Sequence, residues 1–149
     1  MSLEELLRSK IIRRTKPDRS LALDSIKRAR RDIETAKTLI ANEKFDWSLA
    51  VSYNAMLAAG RALMFDKGYR PSSTGGHLAV VKFLSIVLGA EVSERMVMVM
   101  NGMRKKRHRI VYEEMDIVTK KEAEQAISWT EEFVSIIAST IRQTNPADR

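Results

Sequence analysis

Apolar residues recur along this chain at spacings of three and four, the period that lays them on one side of a helix. Over residues 20 to 42 they fall at Leu23, Ile26, Ala29, Ile33, Ala36 and Ile40 with charges between them, which predicts a helix buried on one face. Near the other end Ala123, Ala126, Ile127, Thr130, Phe133, Val134, Ile137 and Ile141 repeat the pattern, and Thr119 with Glu122 supplies a capping box at its start. The stretch DWSLAVSYNAMLAAGRALMFDKG, residues 46 to 68, is apolar almost all the way round. A helix of that kind belongs in the centre of a bundle, and here it opens on Asp46 as N-cap and closes on Gly68.

The remaining segments complete an all-α pattern. Ser2 with Glu5 has capping-box spacing, and Leu3, Leu6, Leu7 and Ile11 follow at helical intervals, predicting a first helix over about residues 2 to 14 that Pro17 ends. Residues 69 to 77, YRPSSTGGH, form a Pro-, Ser- and Gly-rich loop. A helix over about 77 to 88 stops at Gly89, and Ser93 with Glu94 starts another in which Met96, Val97, Met100 and Met103 make the buried stripe. Pro146 marks a frayed tail, no internal repeat is visible, and hardly any segment alternates as a strand would. The expected fold is an antiparallel up-and-down four-helix bundle spanning about residues 20 to 143, with the N-terminal helix packed alongside in one domain.

Composition narrows the function classes. At 149 residues, 44% hydrophobic and 30% charged, the chain is long enough for one real core and has the balance of a globular protein rather than a disordered one. It has no cysteine, so disulfide and thiolate chemistry are excluded, which suits a cytoplasmic location. The opening residues carry acids before any apolar run and lack the pattern of a secretory signal, and no stretch is apolar enough for a membrane span. A net charge of +7 favours nucleic acid or an acidic partner, but aromatic residues make up only 6% and form no stacking platform.

The candidate chemistry lies in MRKKRHRIVYEE, residues 103 to 114, where six basic side chains in a row run into an apolar stretch and a tyrosine. Cations at a helix C-terminus oppose the macrodipole, and Glu113 and Glu114 stand ready to pair with them. That solvated end explains Arg104, Lys105, Lys106 and Arg109 without any function, although all four are also the candidate contacts to a nucleic acid or phosphate. Helical spacing places Arg104, His108 and Tyr112 on one stripe with Arg107 on its flank, so one concave polar site can hold them. His77, beside STGG, reads as a helix-start residue. The two histidines are far apart in sequence with no carboxylates at ligand spacing, so neither a metal nor a cofactor is expected, and TGG lacks the lysine of a phosphate loop. Met98 stands off the main stripe, where a soft side chain suits a contact surface.

Residues 48 to 84 resemble the HEPN family of helical domains. The matching positions are Tyr53, Ala55, Met56, Ala58, Ala59, Arg61, Ala62, Leu63, Gly68, Arg70, Pro71 and His77, and the resemblance runs from about Asp32 through the final helix. In ribonuclease members of that family an Arg, a polar residue and, after a short gap, a His meet their symmetry mates at a dimer interface and cut RNA. The resemblance makes Arg107 and His108 the Arg and polar residue, and puts Tyr112 where the catalytic His is expected. Metal-independent cleavage needs groups that exchange protons near neutrality, which His does and Tyr, with a pKa of about 10, does poorly. The preferred expectation, which the resemblance implies for small stand-alone members, is a homodimer that works with a minimal nucleotidyltransferase in a toxin–antitoxin-like or nucleotide-related system. The alternatives are a metal-independent ribonuclease toxin using Arg107, His108 and Tyr112, and a non-catalytic RNA binder.

Overall fold

The computed structural model describes residues 2–72 and 76–143. In chain order it contains α1 (Leu3–Arg8), β1 (Ile12–Arg14), α2 (Arg19–Ala41), α3 (Phe45–Lys67), β2 (Tyr69–Pro71), α4 (Gly76–Val87), α5 (Ala90–Tyr112) and α6 (Lys120–Gln143). The four long helices α2, α3, α5 and α6 form the all-α bundle, and the shorter α4 packs on α3 and α5. The near-continuous apolar surface of α3 has the expected consequence: it touches α2, α4, α5 and α6, and Tyr53, Ala55, Ala59, Ala62, Leu63 and Met64 have no exposure at all. The repeat along α6 is buried at every position from Ala123 to Ile141 named above. On α2 the face is rotated slightly. Ala22, Ser25, Ile26, Ala29, Ile33 and Ala36 are buried, Ile40 is half-buried, and Leu23 is exposed.

The N-terminal segment differs from the helix expected over 2 to 14. Ser2 caps α1, its side chain accepting from the Glu5 N–H, but the helix ends at Arg8, where the Ser9 hydroxyl donates to the Glu5 carbonyl. Lys10 then takes a left-handed turn, and Ile12–Arg14 runs antiparallel to Tyr69–Pro71 as a two-stranded ribbon. The β-branched pair Ile11–Ile12 suits that extended path. Gly68 closes α3 in the left-handed conformation, and a side chain there would strike the Thr15 carbonyl, so this glycine is required twice over.

Two further starts are corrected. Asp46 lies inside the first turn of α3 rather than at its N-cap, which is Lys44. Its carboxylate instead accepts the backbone N–H groups of Asp116, Ile117 and Val118, pinning the α5–α6 connection to the head of α3. α5 begins at Ala90, ahead of Ser93, whose hydroxyl donates to the Ala90 carbonyl. The Thr119–Glu122 capping box forms reciprocally, each backbone N–H meeting the other's side chain. Pro146 and most of the TGG segment fall outside the described residues.

Candidate functional site

The register of α5 decides what its basic run does. Met96, Met100 and Met103 face the core, each almost fully buried. The next position at the same three-four spacing is Arg107. A guanidinium therefore occupies the continuation of a hydrophobic stripe, at the end of the bundle, and Arg107 is half-buried there. Its Nε is buried and has no hydrogen-bond partner among the described residues. The guanidinium carbon lies 6.0 Å from the ring centre of Tyr53 on α3, a loose cation–π contact that replaces little of the lost hydration. A buried guanidinium N–H without a partner costs free energy that a bound anion or water would offset.

Opposite Arg107 stands the start of α4. Gly60 on α3 allows this approach, because a side chain at that position would collide with Val80 and Leu84 of α4. Between α4 and α5 lies a cleft of about 770 Å³ lined by Gly76, His77, Leu78, Val81 and Lys82 on one side and Asn101, Arg104, Arg107, His108 and Tyr112 on the other. No carboxylate lines it among the described residues. Arg104 and His108 are exposed, and Tyr112 is 73% exposed with its ring 4.9 Å from that of His108. Neither Arg104 nor Arg107 forms an ion pair among the described residues.

The structure thus brings Arg104, Arg107, His108 and Tyr112 into one cleft and sends the other basic residues elsewhere. Lys106 turns towards α6 and pairs with Glu122 at 3.2 Å, Arg109 pairs with Glu114, and Lys105 is solvated. Burial pushes Glu122 up, but the Thr119 N–H and Lys106 outweigh it and hold the carboxyl below its usual range. Arg104, which a solvated helix end also explains, belongs to the cleft.

His77 was not legible as a site residue. It sits within the first turn of α4, and its Nδ1 is 3.0 Å from the Tyr53 hydroxyl. Burial pushes the Tyr53 phenol up to about 12, against the opposing pull of Arg104, Arg107 and Arg61. Burial, then Arg107, Arg61 and Arg104, hold His77 below its ordinary value, so the imidazole is neutral at pH 7. The signal available in the sequence was the pair Tyr53 and His77 inside one run of family-like residues, with nothing to say that they touch. Among the described residues no group of three His, Cys, Asp or Glu side chains is placed to hold a metal, and no helix is long and apolar enough to cross a membrane.

The structure is an all-α domain whose penultimate long helix lines a cleft with Arg104 and Arg107, neither of them in an ion pair among the described residues. The sequence matches the HEPN domain over residues 22–140, most of its length, and the chain belongs to the HEPN family. The matched region begins inside α2, leaving α1 and β1 outside it. No curated protein and no solved structure matches the chain.

Proposed function

We propose that this HEPN protein is a dimeric, phosphate-binding partner of a minimal nucleotidyltransferase, acting in the cytoplasm in a toxin–antitoxin-like or nucleotide-related system. The observation that carries the reading is the cleft itself: Arg104 and Arg107 converge with no carboxylate among the described lining residues, and Arg107 stands on a core stripe where a bound anion would offset the burial of its Nε. Tyr112 supports the coupling to a partner. Its exposed hydroxyl stands at the mouth of the cation cluster, where it can orient a phosphate or accept a group transferred by the partner. The dimer is supported by the other side of α5, where Met98 is 70% exposed beside an apolar groove of about 500 Å³ containing Leu49, Val99, Met103 and Trp129.

Binding of a labelled nucleoside triphosphate and a labelled ribo-oligonucleotide, with sedimentation at micromolar concentration, tests this reading. The wild type is expected to bind at least one of the two and to sediment as a dimer, and Arg107→Ala to lose the binding while keeping the fold. A monomer that binds neither contradicts it. A second reading, metal-independent RNA cleavage, is favoured by the presence of two imidazoles, His77 and His108, in the same cleft. On that reading wild-type cleavage is weak, because position 112 holds Tyr, and Tyr112→His raises it. Strong cleavage that survives both Arg107→Ala and His108→Ala would remove the cleft from either account.

A further inference from the structure

The Tyr53–His77 pair comes from two helices outside the basic run, and the reading of the cleft as a phosphate site leaves it without a role. Its geometry is restrictive. Tyr53 is fully buried, and its hydroxyl has one hydrogen-bond partner among the described residues, the Nδ1 of His77 at 3.0 Å. A buried phenol O–H with no other acceptor among the described residues is satisfied by donating to that nitrogen. The neutral ring must then carry its own proton on Nε2. Nδ1 is taken up by Tyr53 while His77 lines the same cleft as Arg104 and Arg107, which leaves Nε2 as the ring nitrogen available to that cleft.

We infer that His77 is an anion-contacting residue of the cleft, fixed by Tyr53 as an Nε2–H donor to a phosphate oxygen that Arg104 and Arg107 also hold. This inference rests on the phosphate-binding reading and adds to it a residue outside the basic run, and with that residue a proton. The charged and titratable groups facing His77 are Tyr53 and Arg61 from α3, Lys82 from its own helix, and Arg104, Arg107, His108 and Tyr112 from α5. None is acidic. Before an anion binds, burial and these cations hold the imidazole below its ordinary value. An oxyanion placed among them reverses the local sign, so binding draws a proton onto His77, and by reciprocity acid strengthens binding. The second proton goes to Nδ1, with the Tyr53 hydroxyl rotating from donor to acceptor.

The phosphate can come from a nucleotide or from an RNA backbone, and the experiment separates them. Imidazole ¹⁵N resonances of the full chain are followed between about pH 5 and 8 alone, with inorganic sulfate, with a nucleoside triphosphate and with a single-stranded ribo-oligonucleotide. Sulfate is a tetrahedral dianion that does not titrate in that range, so any proton taken up belongs to the protein. Alone, His77 is expected as the Nε2–H tautomer with a midpoint below the usual histidine value. With sulfate the midpoint rises by about one unit, corresponding to roughly tenfold tighter binding to the charged ring. The natural source is whichever of the other two ligands gives the same rise at lower concentration.

Two variants complete the test. His77→Gln cannot take up a proton and is expected to bind sulfate several-fold more weakly than the wild type at pH 5, with a flatter pH dependence than the wild type shows; a pH dependence as steep as the wild type's overturns the role of His77. Tyr53→Phe is expected to release the tautomer to a mixture, and if it does not fold the wild-type spectrum still decides the point. An Nδ1–H tautomer in the wild type, or a His77 midpoint unmoved by sulfate that Arg107→Ala no longer binds, overturns the role of His77 and leaves the cleft as a phosphate site. Failure of the wild type to bind sulfate, triphosphate or oligonucleotide overturns both.

Discussion

α5 presents two long flanks, and they treat positive charge in opposite ways. Towards α6 the surface is an apolar groove, and its cation, Lys106, is matched by Glu122. Towards α4 the surface is polar, holds Arg104 and Arg107, and has no acid to match them among the described residues. Both flanks draw on the same run MRKKRHR, whose composition says nothing of this division. A basic run is thus informative only after its register is known: the residue to examine is the cation placed on the buried side without a partner. Surface pairs such as Lys106–Glu122 contribute little and mark no site. A guanidinium on a core stripe whose buried Nε has no partner among the described residues costs stability, which on the proposed reading a bound anion restores.

The comparison breaks most visibly in the core that both flanks share. Met100→Ala and Phe133→Ala, at sites almost without exposure, are each expected to lower unfolding free energy by about 2 to 5 kcal/mol in denaturant melts. Ile33→Ala and Leu57→Ala belong to the same class, since both side chains are buried against the α2–α3 interface. A melt unchanged by Met100→Ala would mean that α5 is rotated, and the division between its flanks would fall with it. Gly60→Ala comes next. It pushes α4 off α3, with an expected cost of about 1 to 3 kcal/mol, and because α4 carries His77 it should also weaken anion binding, whereas an apolar dye in the α6-side groove should bind as before.

Acidity separates the flanks more gently. His77 has a folded pKa below its unfolded value, so the unfolded chain binds the extra proton more readily; stability from this group is full above about pH 6.5 and declines as pH falls towards the lowered value. Tyr53 acts at the opposite end, its raised pKa making stability decline as pH climbs from 10.0 to about 12. Melting temperatures across pH should show the acid decline in the wild type and a shallower one in His77→Gln. Tyrosine absorbance should show one of the three tyrosines ionising late. The smallest effect is Lys106→Ala, expected to change stability by less than about 1 kcal/mol and anion binding not at all.

Much of the architecture is readable from periodicity and caps. The buried repeat of α6, the apolar surface of α3, the Ser2–Glu5 and Thr119–Glu122 boxes and the left-handed Gly68 all follow from spacings within one helix. What escapes is whatever depends on a distant partner. A strand of three residues has no period of its own, so Ile12–Arg14 reads as helix until Tyr69–Pro71 is placed beside it. Asp46 has the composition of an N-cap, and only the folded chain turns its carboxylate towards three N–H groups some seventy residues away.

The cleft divides along the same line. Arg104, His108 and Tyr112 share one helix and one stripe, so their proximity is a matter of local spacing. His77 arrives from α4 because Gly60 permits a close crossing, which no pattern within residues 77 to 88 encodes. Arg107 is the instructive case, since Met96, Met100, Met103 and Arg107 keep one spacing throughout and the fourth position reads as flank only if charge is allowed to override register.

Arg107→Met tests the central claim most directly, because it completes the methionine stripe with a side chain of similar length and removes the unpartnered charge. Denaturant unfolding and sulfate binding are to be measured on the same preparations. The account predicts that the variant is about 1 kcal/mol more stable than the wild type and no longer binds sulfate. A variant that is less stable and still binds would show that Arg107 is held by the fold itself, and the cleft would lose its claim to a ligand.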